Sequence, residues 1–288
     1  MEATGSDFVR RQIDIGGAHI DVTMPTRPGG LVIASAHPAD ALEEGTAALL
    51  SQASGKQVVC LNPRGLARSS AREAIGPGTL DDMTDEIESA RQRLGLGPWV
   101  FWGMSGGGWL AQIYAHRHPG AIAGLILESI CSCFRLRLAD PGCLLSPFHP
   151  PWRDKLAADG LLDADSHTEV GDPTRTEWLE LAGIGSVFRR RNGPALLVAP
   201  FPVGPEMRAI MPALWTVDTR AWLPQVRLPT LVLAGSADPV VPVTHARALH
   251  AAIPGADLVI IEGAGHVPVS ERRPEVAEAV GRFLRERL

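Results

Sequence analysis

The sequence is short of lysine. Only Lys56 and Lys155 occur, so nearly all positive charge is arginine, and the formal net charge at pH 7 is −5. The one basic run is Arg189-Arg190-Arg191. This balance argues against a nucleic-acid surface. Cysteine is scarce as well. Cys60, Cys131, Cys133 and Cys143 lack the C-x-x-C spacing of a zinc or redox site, and no His pair completes one. No metal is expected, and a pairing of Cys143 with Cys131 or Cys133 is left open. No apolar run reaches transmembrane length, and the polar, acidic start from Met1 to Asp7 holds no signal core. These absences point to a reduced, cytoplasmic protein that binds neither nucleic acid nor membrane.

What the chain does have is ordinary globular material: 45% hydrophobic and 20% charged residues in a length of 288. That fits one large domain, or a core with a smaller insert, and leaves room for a substantial core. Phe8 to Met24 alternates apolar and polar residues around Gly16-Gly17-Ala18-His19, which reads as a β-hairpin. Leu31 to Ala36 is a continuous apolar strand of the kind buried on both faces of a parallel sheet. Ala41 to Ser54 has helical spacing. Val58 to Leu61 is the next strand, and Leu80 to Leu94 is a helix with acids at its start and Arg91 and Arg93 at its end. Further strands follow at Ala123 to Glu128, Thr230 to Gly235 and Leu258 to Ile261, with helices from Val243 to Ala252 and Glu275 to Leu288. Strands alternating with helices at this spacing mean βαβ units and a mostly parallel sheet. The alternation lapses between Cys131 and Val226, a stretch rich in Pro that carries Trp152, Trp178, Trp215 and Trp222. We expect an α/β core from 1–130 and 227–288, with 131–226 inserted as a helical lid after the sixth strand.

The stretch around which the rest is organised is Val100 to Ala111. An apolar run ends at Gly103, Ser105 stands between glycines, and Trp109, Leu110, Ile113 and Tyr114 then recur at helical period. Gly103-Met104-Ser105-Gly106-Gly107 matches G-x-S-x-G. A nucleophilic Ser at so tight a turn needs its neighbours stripped of side chains, so that strand and helix can pass closely. A Gly-rich turn with an incidental Ser would give the same letters, but the strand before and the helix after favour function. Such a Ser needs a base, and the base needs an acid to orient it. In an open parallel sheet both belong on loops at the carboxyl ends of strands. Asp238 follows the strand ending at Gly235, and His266 follows the strand ending at Ile261. Glu128, ending its own strand, is the rival acid. His19, His116, His118, His149, His167, His245 and His250 compete less well as the base. For an oxyanion, Gly106 supplies one N–H; Pro38 has none, so Ala39 is the expected second donor. His37, Met104 and Trp215 are expected to line the substrate.

With these residues, the chain resembles α/β-hydrolase-fold serine enzymes, in the capped esterase, lactonase and proline-iminopeptidase-like branch. The resemblance is carried by the elbow pentapeptide, Asn62-Pro63-Arg64-Gly65, Gly235-Ser236-Ala237-Asp238 with Val241-Pro242, and Gly263-Ala264-Gly265-His266. It covers about 30–130 and 228–288. It implies the α/β-hydrolase fold, a Ser nucleophile, a His base and an acid after the seventh strand, with no cofactor. Iminopeptidases of this fold commonly have Trp after the elbow Ser, where this chain has Gly106, so a peptidase ranks below an esterase. The expected reaction is hydrolysis of a carboxylic ester or lactone through an acyl-serine. The lid's Trp, Phe and Pro content suggests an apolar acyl or polyketide-like small molecule. Acyl transfer, carbon–carbon cleavage or cyclisation in natural-product assembly would use the same triad, and a binding protein on a retired scaffold is a further alternative.

Overall fold

The alternating segment near the N-terminus forms strands β1 (Phe8–Asp14) and β2 (His19–Pro25) of an antiparallel hairpin. Its turn uses Gly16 and Gly17 at φ 98° and 94°, values that glycine adopts without steric penalty. Asp14 Oδ1 accepts the Gly16 N–H at 2.7 Å and ties the turn. The computed structural model describes residues 8–26, 32–36, 51, 55–65, 68–72, 79–143, 146, 213–214 and 216–288. The expected helix from Ala41 to Ser54 and most of the expected lid lie outside the described residues.

The elements that follow are β3 (Val32–Ala36), β4 (Gln57–Asn62), helix α1 (Thr79–Arg93), β5 (Trp99–Met104), α2 (Gly106–Arg117) and β6 (Ile122–Glu128). After a short helix α3 (Phe134–Ala139) come β7 (Thr230–Gly235), α4 (Val243–Ala252), β8 (Asp257–Ile261), α5 (Pro268–Glu271) and α6 (Arg273–Arg287). The strands form one sheet in the order β1-β2-β4-β3-β5-β6-β7-β8. Pairings from β4 onward are parallel, and β1–β2 and β2–β4 are antiparallel. The chain is an α/β-hydrolase fold in architecture, with helices against a mostly parallel sheet.

Burial on both faces explains the unbroken apolar strands. In β5, Trp99 and Phe101 join one apolar layer with Ile87 of α1, Tyr114 of α2 and Leu249 of α4. Val100 and Trp102 join the other layer, with Ile126, Leu231, Val276, Val280 and Phe283. Each such large side chain, fully buried, stabilises the fold by roughly 1.5–3 kcal/mol. Helix α2 is buried at every position from Gly107 to Ala115, a more central place than its apolar period alone indicates. Residues after β6 and before β7 bond to it. Gln112 Nε2 donates to Cys131 O, and Thr219 Oγ1 donates to Gln112 Oε1 at 2.6 Å. None of the four cysteines is in a disulfide, so the pairing left open for Cys143 is not formed. Cys143 Sγ instead donates to Val240 O at 2.9 Å. Among the described residues no helix is long and apolar enough to cross a membrane.

Candidate active site

Strand β5 stops at Met104 because the next residue leaves the extended region. Ser105 has φ 50° and ψ −124°, a conformation that costs an L-residue on the order of 1–3 kcal/mol. Two bonds hold it there: Ser105 N–H to Glu128 O at 2.9 Å and Gly108 N–H to Ser105 O at 2.8 Å. Gly103 is required by proximity. A Cβ there would press into Gly107 O and lie 2.7 Å from Ala111 Cβ, so no other residue lets α2 turn back against β5. Around Gly106, by contrast, a Cβ would meet nothing within 4 Å. Its N–H belongs to the first turn of α2, where helix donors lack a carbonyl partner within the helix.

Asp238 and His266 reach Ser105 from β7 and β8. His266 Nε2 lies 3.0 Å from Ser105 Oγ, and its Nδ1 lies 2.9 Å from Asp238 Oδ2. With the proton on Nδ1, the imidazole donates to Asp238 and presents Nε2 as acceptor for the Ser hydroxyl. Asp238 Oδ1 accepts Val240 N–H at 2.8 Å and Val241 N–H at 3.0 Å. The Asp238 side chain is fully buried and that of His266 is 5% exposed, so the pair works in a poorly solvated setting where its electrostatics are strong. The two loops are laced together. Ala237 N–H donates to Ala264 O at 2.9 Å and Ser236 N–H to Ile261 O at 3.0 Å. A side chain at Gly235 would collide with the carbonyls of Ala264 and Gly265.

Two further carboxyl groups complete the surroundings, Glu271, which sequence reasoning did not place here, and Glu128. Glu271, at the end of α5, accepts Val267 N–H at 2.9 Å on one oxygen and Gly265 N–H on the other. It thereby brackets His266. Glu128, the rival acid, is fully buried and does not meet the imidazole; its Oε1 accepts Val269 N–H at 3.0 Å. Burial pushes the Glu128 carboxyl up to about 8, against the pull of the Val269 N–H and the Trp102 indole, and the negative charges of Glu271 and Asp238 add to the rise. The one signal for Glu271 in the sequence was the Pro268 that opens its short helix.

Of the other expected site residues, Met104 is 6% exposed and belongs to the core layer of Trp102 and Ile126. Alternation along β5 puts it on the face of Val100 and Trp102, so the structure seats the expected substrate contact in the core. His37, Ala39 and Trp215 lie outside the described residues. So do the competing histidines His149 and His167. His118 Nε2 is 2.8 Å from Asp85 and His245 Nε2 is 3.0 Å from Asp140, both away from Ser105's bonds. Among the described residues no group of three or more His, Cys, Asp or Glu side chains could hold a metal ion.

The model of the alpha/beta hydrolase fold family matches residues 38–172, and that of the TAP-like protein family matches 203–287. A pimeloyl-[acyl-carrier protein] methyl ester esterase of Aromatoleum aromaticum is 30% identical over 215 residues, spanning 70% of this chain and 75% of that protein. The chain belongs to the α/β-hydrolase family. A proline iminopeptidase of Neisseria meningitidis serogroup A is similar to this α/β hydrolase at 25% identity over 230 residues, 73% of this chain and 74% of that one. The crystal structure of a proline iminopeptidase from Mycobacterium smegmatis superposes with a TM-score of 0.72 at 19% identity, covering 97% and 98% of the two chains. The family and the fold thus agree, and the relatives are hydrolytic enzymes, as is this chain.

Proposed function

We propose that this α/β hydrolase cleaves a carboxylic ester or lactone through an acyl-Ser105 intermediate. The observation that carries the reading is the unbroken hydrogen-bonded line from Ser105 Oγ through His266 to Asp238, at 3.0 and 2.9 Å, on a strained turn at a helix N-terminus. His266 takes the Ser105 proton as Oγ attacks the carbonyl, delivers it to the leaving alcohol, and later activates water. Asp238 holds the tautomer and stabilises the imidazolium. The Gly106 N–H stabilises the oxyanion, with Ala39 as second donor. An apolar acyl group is in keeping with the Trp, Phe and Pro content of 131–226, and the ester class is supported by the esterase relative. No organic cofactor takes part.

Intact-mass labelling with a fluorophosphonate tests this reading. Wild type gains one adduct, Ser105→Ala gains none, and His266→Ala reacts slower by on the order of 10⁴. A folded wild type that takes no adduct sinks it. The iminopeptidase relatives supply a specific second reading, in which the same acyl-serine forms on an N-terminal proline. Faster turnover of a prolyl arylamide than of aryl esters would move the assignment there.

A further inference from the structure

Glu128 bonds to both halves of the site without touching a reacting atom. Its main-chain carbonyl accepts the Ser105 N–H at 2.9 Å. Its side-chain Oε1 accepts the Val269 N–H at 3.0 Å, three residues beyond His266. Strand register explains the reach: Glu128 pairs with Met104, the residue before the nucleophile, on one side and with Leu233 of β7 on the other. The only non-glycine residues with positive φ among the described residues, Ser105 at 50° and Ser129 at 49°, end these adjacent strands beside it. Glu128 is completely buried, and its Oε2 has no hydrogen-bond partner. A buried carboxyl so placed is far more at ease neutral than charged.

We propose that Glu128 is a positioning residue that sets the distance between nucleophile and base, by tying the Ser105 turn to the His266 loop through one residue's carbonyl and one neutral carboxyl. The inference rests on Ser105 and His266 acting as proposed above. It also makes the tie dependent on protonation. The charged groups facing Glu128 are Glu271 from α5 and Asp238 from the loop after β7, both negative; Met104 and Leu233 beside it are neutral, and the Trp102 indole of β5 and the Val269 N–H are the groups that favour its charged form. Ionisation near pH 8 therefore puts a third negative charge into the same buried space, with one oxygen unpartnered. Water must enter to solvate it, and the tie slackens.

The test uses Glu128→Gln, which keeps an acceptor and cannot ionise, and Glu128→Ala, which removes the acceptor. Fluorophosphonate labelling rates and p-nitrophenyl ester kinetics are read from pH 6 to 10, with folding checked by circular dichroism. At pH 7, Glu128→Ala is expected to lose about tenfold in labelling rate and kcat at unchanged KM, and Glu128→Gln to be rescued to within about threefold. Above pH 8 the wild-type rate falls and that of Glu128→Gln stays level. A folded Glu128→Ala that labels at the wild-type rate overturns the proposal, as does a Glu128→Gln as slow as Glu128→Ala. If Glu128→Ala does not fold, an alkaline fall in Glu128→Gln equal to the wild type's overturns it alone. A wild type that takes no label is a different failure, that of the acyl-serine reading itself.

Discussion

At Ser105 the chain accepts a conformational penalty for the sake of where one oxygen stands. With φ at 50°, glycine would sit there more easily than serine. Relief of roughly 1–3 kcal/mol of strain competes with roughly 0.5–1 kcal/mol of extra glycine entropy in the unfolded chain. Ser105→Gly should therefore be more stable than Ser105→Ala by about 1 kcal/mol, with both inactive. Paired thermal melts and ester assays check this, and equal melting temperatures would mean that the turn is unstrained. His266 and Asp238 were legible in the sequence because each stands in a glycine-rich or turn-rich loop after a clear apolar strand. Glu271 was not, because its partners are the N–H groups of Gly265 and Val267, and a bond to main chain leaves no pattern of residue types. Glu128 was visible as an acid at a strand end, but only the structure shows that its carboxyl meets Val269 and leaves the imidazole to Asp238.

At the scale of elements, β5 and α2 depend on one missing side chain between them. Gly103→Ala would drive a methyl into Gly107 O and Ala111 Cβ. Neither neighbour can yield without moving α2, so a loss of about 3 kcal/mol is expected, read by urea denaturation. Gly106→Ala meets open space and should stay within about 1 kcal/mol of wild type. Much of the pattern was readable from period: β5 to β8 and the helices α2, α4 and α6 fall where alternation and the 3.6-residue spacing put them. Their lateral order was not. That β3 lies between β4 and β5 is decided by pairings between distant segments, about which local hydropathy is silent. Nor does local pattern isolate α5, whose four residues are shorter than any periodic signal.

For the molecule as a whole, the buried carboxyl of Glu128 links folding to pH. The folded chain keeps its proton to about pH 8, whereas the ordinary value is 4.5. The folded state thus binds the proton more tightly. The stability this contributes is full below pH 4.5 and is lost as pH rises towards 8. At about 1.4 kcal/mol per pKa unit, the loss amounts to roughly a few kcal/mol. Melting temperatures of wild type should fall relative to those of Glu128→Gln across that window, and parallel curves for the two proteins would refute the linkage. The large-scale arrangement of one sheet with its site at the carboxyl ends of β5, β7 and β8 followed from the order of apolar runs. The lid expected from the lapse of that order falls largely outside the described residues, and a composition rich in Pro and Trp gives no period from which to build it.

The supports of base and acid have one thing in common. Val240, Val241, Gly265, Val267 and Val269 all contribute through the main-chain N–H. Every amino acid but proline carries that group. As far as these bonds are concerned the side chains can change while the imidazole stays in place, and proline is the one residue that would break them outright.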